Sequence, residues 1–325
     1  MPLRQYVVKR SVTALITFFF CLCINFILPR VVGGNPVAYM AGGVRLSSPE
    51  AAERIVQQFG LDKPLYEQFI IYLMNTFRGN LGVSFEYYPR TVLSVMMSRL
   101  PWTLFLMGTA TVLEVIIGIF LGIAAGWKSG SKTDISTEIV SLIFWATPSF
   151  WLGMLLLLLF AFFLPIFPIG FAFTFGASYS NIFGFIADVL YHAILPIITL
   201  TLFLFAGTTL VMRNSMGDVL GEDYMLTAEA KGLSERRIKY WHAARNALLP
   251  TATNVATQIG LITGGAVLVE TVFSYPGLGQ LIYQAVNMRD YPVIQGCFLI
   301  FAIFVILSNF VVDILYARLD PRIMS

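Results

Sequence analysis

The sequence predicts an all-α integral membrane protein with six transmembrane helices, and three observations carry that expectation. Of its 325 residues, 57% are hydrophobic and only 12% charged; a soluble domain carries about 25% charge, so there is more apolar surface here than one globular core can hide. Apolar runs of membrane-spanning length recur along the chain. The basic residues are distributed unevenly between the segments that join those runs, which sets an orientation. A net charge of +3 is too small to indicate nucleic acid and is accounted for by topology. Cys21, Cys23 and Cys297 all fall inside apolar runs, which indicates packing rather than a disulfide framework or a metal site.

The first run, SVTALITFFFCLCINFIL, carries no charge and follows the basic start MPLRQYVVKR. A signal peptide and a first membrane helix both fit such a segment. Its length, and the lack of a nearby small-x-small cleavage site, favour a retained helix and a first unit over 1–29, with Arg4, Lys9 and Arg10 holding the N-terminus in the cytoplasm. Residues 30–100 are polar enough to leave the membrane and are expected to form a mainly helical external subdomain between the first and second spans. Within it Ser48-Pro49-Glu50, with Gly60 as the stop, predicts a helix over about 49–59, and Asp62-Lys63-Pro64 opens another that ends near Arg78-Gly79.

The remaining core, 101–325, holds five further apolar runs at about 101–126, 137–164, 189–212, 251–272 and 292–316. Pro148, which follows Thr147, is expected to kink the third span, because proline deletes a backbone hydrogen bond. Lys128 and Lys132 fall on the inner side, whereas 165–187 contains no Lys or Arg. Over the whole chain 13 basic residues lie inside and 8 outside, so both termini are expected in the cytoplasm of a multi-pass protein of the cytoplasmic membrane.

Between the fourth and fifth spans lies a long polar interruption, 213–250, with six of the 21 Lys and Arg residues and the acids Asp218, Glu222, Asp223, Glu229 and Glu235. Gly232, which can take the left-handed conformation, and Ser234, a capping residue type, divide its centre into two short helices. In the second of these, Ile238, Trp241, Ala244 and Leu248 recur at helical spacing, so the segment is amphipathic rather than membrane-spanning. Such a stretch either rests on lipid headgroups or docks a soluble partner.

The chemistry available is sparse. No G-x-x-x-x-G-K-[ST] phosphate loop occurs, and with only His192 and His242 no cluster has metal-ligand spacing. An enzyme finds almost no support in these residues. Charges in or near spans are functional suspects because each is costly in the bilayer; they are Glu114, Glu270 and Asp313, and Glu114 is expected to pair within the bundle. Thr251, Asn254 and Gln258 fall at i, i+3 and i+7 on one face of the fifth span, a polar stripe that either glues helices together or lines a watery path.

Ala228-Glu229-Ala230-Lys231-Gly232-Leu233-Ser234, with Asn246-Ala247-Leu248-Leu249-Pro250 after it, resembles the loop of ABC-importer permeases of the dipeptide/oligopeptide class. Leu61-Asp62-Lys63-Pro64-Leu65-Tyr66, Gly79-Asn80-Leu81-Gly82-Val83-Ser84, Pro148-Ser149-Phe150-Trp151, the run from Glu270 to Gly279, Arg289-Asp290-Tyr291-Pro292 and Asp320-Pro321-Arg322 agree with the same class. Against the general importer motif, the Glu-Ala-Ala positions hold Leu226, Thr227 and Ala228, and Pro250 comes late, as in the variant form of the peptide class. The resemblance implies a coupling loop in which Asp223, Ala228, Glu229, Ala230, Lys231, Gly232, Leu233, Ser234, Arg236 and Arg237 engage an ATPase. It further implies a second homologous permease, two cytoplasmic ATPase subunits that carry the ATP and Mg, and an external solute-binding protein, with no cofactor or metal in this chain and membrane lipid around it. Thr251, Asn254 and Gln258 are then expected on the translocation path. Similar permeases serve nickel and oligosaccharide importers, and the alternative from another class is a secondary transporter or channel acting alone.

Overall fold

The computed structural model describes residues 3–31 and 62–319, and its regular structure there is helical, with one isolated bridge between Val83 and Thr91. Helix α1 (Leu3–Val31) is followed by α2 (Leu65–Phe77), α3 (Val92–Trp127), α4 (Lys132–Ala146) and α5 (Ser149–Leu157), whose end winds into a π turn at Leu158–Phe163. Then come α6 (Ile182–Leu220), α7 (Asp223–Ala230) and α8 (Glu235–Arg237), which runs through a π segment (Ile238–Ala244) into α9 (Arg245–Val272), and finally α10 (Leu278–Met288) and α11 (Tyr291–Leu319). Four stretches, Gln5–Leu28, Val92–Trp127, Ile182–Leu220 and Tyr291–Val311, are long and apolar enough to cross a membrane, with mean hydropathy 2.2–2.3. The α4–α5 pair makes a fifth if counted as one broken span. The helix expected over 49–59 lies outside the described residues, whereas α2 sits where Asp62-Lys63-Pro64 and Arg78-Gly79 bound it.

The helices overrun the apolar runs at both ends: α3 starts nine residues before Pro101 and α6 spans 39 residues through Pro196. Hydropathy marks where lipid would lie, while helix ends are set by caps, here Thr91 Oγ1 accepting from the Ser94 N–H and Asn181 Oδ1 accepting from the Gly184 N–H. The break at Thr147-Pro148 is larger than a kink, 97° between α4 and α5. Thr147 is extended (φ −88°, ψ 123°), the conformation a following proline imposes, and Pro148 then opens the first turn of α5.

The bundle is assembled around α3 and α6. Ala110, Glu114, Gly118, Gly122 and Gly126 form one ridge of α3 and all are buried. A side chain at Gly122 would place its Cβ 2.5 Å from Met212 Cβ, and one at Gly126 the same distance from Met216 Cβ. The two backbones therefore approach as closely as small residues allow, the usual source of helix association where lipid removes the hydrophobic drive. Helix α1 packs along α11, joined by the reciprocal Asn25–Gln295 bonds (2.8 and 3.0 Å) and by the Arg10–Asp313 ion pair at 3.2 Å.

Two buried carboxylates organise the opposite end. Glu270, at the end of α9, accepts from Thr103 Oγ1 (2.7 Å) and the Gln280 N–H (3.0 Å), while Thr103 Oγ1 accepts from the Leu278 N–H (2.7 Å). It therefore caps α10. Asp290 caps α11 through the Val293 N–H (3.3 Å) and with its other oxygen holds Ser84 Oγ (2.5 Å) and the Phe85 and Glu86 N–H groups (each 3.1 Å). The segment leading into α3 is thereby fastened to the start of α11.

Candidate functional site

The polar stretch 213–250 is helical almost throughout. Its first eight residues continue α6 to Leu220, and its last six begin α9, so only Gly221–Glu222 and Lys231–Ser234 are non-helical. Arg213 belongs to α6 and reaches back to α4, pairing with Asp134 (2.5 and 3.1 Å) and Glu138 (3.0 Å).

Between α7 and α8 the chain reverses at Gly232, whose φ is +69° and whose N–H donates to Glu229 O at 2.8 Å. That is the helix-ending geometry glycine favours. No atom lies within 4 Å of where its Cβ would be, so backbone strain alone, not crowding, selects glycine there. Ser234 occupies the N-cap position of α8 in extended conformation, but its side chain makes no capping hydrogen bond. Its backbone carbonyl instead accepts from the Arg237 and Ile238 N–H groups.

One face of the loop packs into the ends of the long helices: Met225, Ala228, Ile238, Ala243, Ala244 and Ala247 form a buried cluster with Ile123, Met212 and Met216. Trp127 Nε1 donates to Glu235 Oε1 at 2.8 Å, and Asn246 Nδ2 donates to Tyr224 OH at 2.9 Å, tying α8 to α3 and α7 to α9. Trp241, which a regular helical period places on the same face as Ile238, is 67% exposed while Ile238 is buried. Ile238–Ala244 is a π turn, with five residues rather than four from Ile238 to its buried successor Ala243, so the wider winding turns Trp241 outward.

The opposite face carries Asp223, Glu229, Ala230, Lys231, Ser234, Arg236 and Arg237, all exposed, with Leu233 half-buried and Ala228 buried as the loop's anchor. The most exposed large hydrophobic side chains among these charges are Leu226 (66%) and Trp241, with Tyr224 and Tyr240 less so. Periodicity marks neither Leu226 nor Trp241 as exposed. The signal for Leu226 is that an apolar residue fills an acidic position of the general importer motif.

The other candidates lie deeper. Thr251 is fully buried, its single hydroxyl proton having two acceptors in reach, Ala247 O (3.1 Å) and Met212 Sδ (3.2 Å). Asn254 Nδ2 and Gln258 Oε1 are sealed from solvent without hydrogen-bond partners among the described residues, and the Gln258 amide stands beside Gly207, 3.1 Å from where a Cβ would project. The stripe thus faces α6 in this conformation. Glu114 is buried on the α3 ridge facing the Thr208 hydroxyl of α6, although neither of its oxygens meets full hydrogen-bond geometry with a partner among the described residues.

Comparison with known proteins agrees with this architecture. Residues 118–325 match the family described as binding-protein-dependent transport system inner membrane component, and residues 3–107 match its N-terminal membrane-component model. The oligopeptide transport system permease protein AppB of Bacillus subtilis is 36% identical, with 99% of each chain covered. The glutathione transport system permease protein GsiC and the dipeptide transport system permease protein DppB of Escherichia coli are 40% and 35% identical, with 98% of each chain covered. With a helical multi-pass bundle, a rigid polar projection and matches along its whole length, the chain belongs to the family of inner membrane components of binding-protein-dependent transport systems.

Proposed function

We propose that this chain is one of two permease subunits of an ATP-driven importer, forming half of the path for peptides handed over by an external binding protein, with ATP hydrolysed on two separate cytoplasmic subunits. The observation that carries the reading is the construction of the 223–244 projection. It runs without a break into α9, is joined to α6 across the two-residue turn Gly221–Glu222, is tied to α3 by Trp127–Glu235, and presents Leu226, Trp241, Lys231, Arg236 and Arg237 outward. A push on it is transmitted to the bundle rather than absorbed.

Peptide as the cargo class is supported by the names of the relatives, which are permeases for oligopeptides, dipeptides and glutathione. The bundle is read as six spans, α1, α3, α4–α5, α6, α9 and α11, with both termini and the 223–244 projection in the cytoplasm. Thr251, Asn254 and Gln258 are proposed for the path in the conformation where α6 and α9 separate, which would free the amides of Asn254 and Gln258.

Gentle purification of the tagged chain tests this reading. Two ATPase subunits and a second permease should accompany it, and the associated binding protein should melt at higher temperature with dipeptides than with oligosaccharides or nickel. Peptide transport by the chain alone in liposomes would overturn the reading in favour of a self-sufficient carrier or channel.

A further inference from the structure

Among the described residues, the buried carboxylates Asp134, Glu270 and Asp290 each hold donors: Arg213 for the first, hydroxyl and backbone N–H groups for the other two. Glu114 is as fully buried, and neither of its oxygens meets hydrogen-bond geometry with a partner there. The unmet demand extends around it. Thr199 and Thr209 of α6 donate to the carbonyls four residues back, but the hydroxyl of Thr208, which faces Glu114, has no such partner, and neither do Gln258 Oε1 and Asn254 Nδ2 on α9. Buried polar groups are almost always paired, so a group of exceptions calls for an explanation.

These groups share one depth and one seam, with α6 as the common scale. Thr208 faces Glu114 and stands against Gly118, where a Cβ would lie 2.8 Å from the Thr208 Cβ; its neighbour Gly207 has the Gln258 amide 3.1 Å from where its own Cβ would project. Glu114 and Gln258 therefore meet α6 at adjacent residues, from sides about 100° apart. Thr103, Leu106, Ala110 and Glu114 recur at i, i+3, i+7 and i+11 along α3, and Thr103 bonds Glu270 of α9 at 2.7 Å, so the side of α3 that bears Glu114 is the side toward α9. Glu114 thus stands beside the α6–α9 seam that holds Asn254 and Gln258.

Charge selects the occupant. Water or a neutral sugar satisfies hydroxyls and amides but leaves an ionised carboxylate uncompensated within the bilayer. A metal ion calls for several clustered ligands, and no group of three His, Cys, Asp or Glu side chains gathers among the described residues. An ammonium group offers Glu114 a cation with three N–H donors, and an adjoining peptide unit offers an N–H to Gln258 Oε1 and a carbonyl to Asn254 Nδ2.

We propose that Glu114 receives the ammonium group of a peptide passing between α6 and α9, an assignment that rests on the importer reading above. The glycine ridge keeps α3 on α6 while α9 moves, so Glu114 and Thr208 form one wall of the opened seam and the amides of α9 the other. The carboxylate makes the membrane path itself favour a free amino terminus over a blocked one, after any selection made outside.

The test uses the full importer complex in nanodiscs without binding protein, so that only selection within the membrane is read. A water-soluble carbodiimide with glycinamide as nucleophile is applied in the nucleotide-free and vanadate-arrested states, and mass spectrometry measures the adduct on Glu114. Modification is expected in at least one state. Saturating Ala-Ala should slow it by about fivefold, whereas N-acetyl-Ala-Ala, which has the same carboxylate and no ammonium, should not. In proteoliposomes with binding protein and ATP, Glu114→Gln should lower Ala-Ala uptake by about tenfold without lowering the melting temperature of the complex; if that variant does not assemble, protection of the native Glu114 decides. A Glu114 unmodified in both states, equal protection by the two peptides, protection by neither, or unchanged uptake in Glu114→Gln overturns the assignment. Ala-Ala uptake by the native complex without protection removes this role alone, and absence of any peptide uptake removes the importer reading with it.

Discussion

At Gly232 the backbone sits at φ +69° with open space around it, and this separates two roles that a glycine can have. A substitution there meets no neighbour, so its cost is the left-handed conformation itself, about 1–2 kcal/mol for an ordinary residue and more for a β-branched one. Gly232→Val should lower ATP-driven transport in the assembled complex, while Gly232→Asn, which tolerates that conformation, should retain most of it. Equal losses in both would sink the corner role. Gly277 is the contrasting case, because a Cβ there would stand 2.3 Å from the carboxyl carbon of Glu270. Gly277→Ala should displace the carboxylate, uncap α10 and lower thermal stability by about 1–3 kcal/mol. Asp290→Ala, which strands Ser84 Oγ and the N–H groups of Phe85, Glu86 and Val293, should do the same at the start of α11 and loosen the segment before α3. Thermal unfolding of the purified complex checks both. Glu270 and Asp290 stand in motifs legible in the sequence, and Asp290 caps Val293 three residues on, but their partners Thr103 and Ser84 are 167 and 206 residues away, beyond any local pattern.

Among the elements, the α3–α6 pair sets the geometry of the bundle. The Gly118, Gly122 and Gly126 spacing is plain in the chain, yet its meaning depends on which helix it meets, and that is Met212 and Met216 of α6. Gly122→Leu should force the pair apart and destabilise the complex by about 1–3 kcal/mol or more. Gly217, on α6 with nothing near its Cβ position, is the control: Gly217→Ala should be neutral or stabilise by up to about 1 kcal/mol. The Pro148 break was readable because proline acts on its immediate neighbour, whereas its size reflects how α4 and α5 pack on α6. The π turn at Ile238–Ala244 was hidden, since a regular helical period placed Trp241 with Ile238 and the extra residue in the turn moved it to the exposed face.

For the molecule as a whole, a single cysteine at Ser234 in a background lacking the native cysteines should react with an impermeant thiol reagent only from the cytoplasmic side. Reaction from outside would invert the topology and remove the loop from any ATPase. Composition and hydropathy alone determined that this chain is a helical membrane protein with a polar projection near residue 230, because lipid demands unbroken apolar helices and leaves interruptions conspicuous. Only the tertiary structure decided which face of each helix is covered, that Glu270 and Asp290 also hold Thr103 and Ser84, that the Thr251 stripe turns toward α6, and that Arg10 and Asp313 share a cavity. Those outcomes depend on contacts between residues distant in the chain, and a pattern along one helix says how its faces differ but not what stands opposite them.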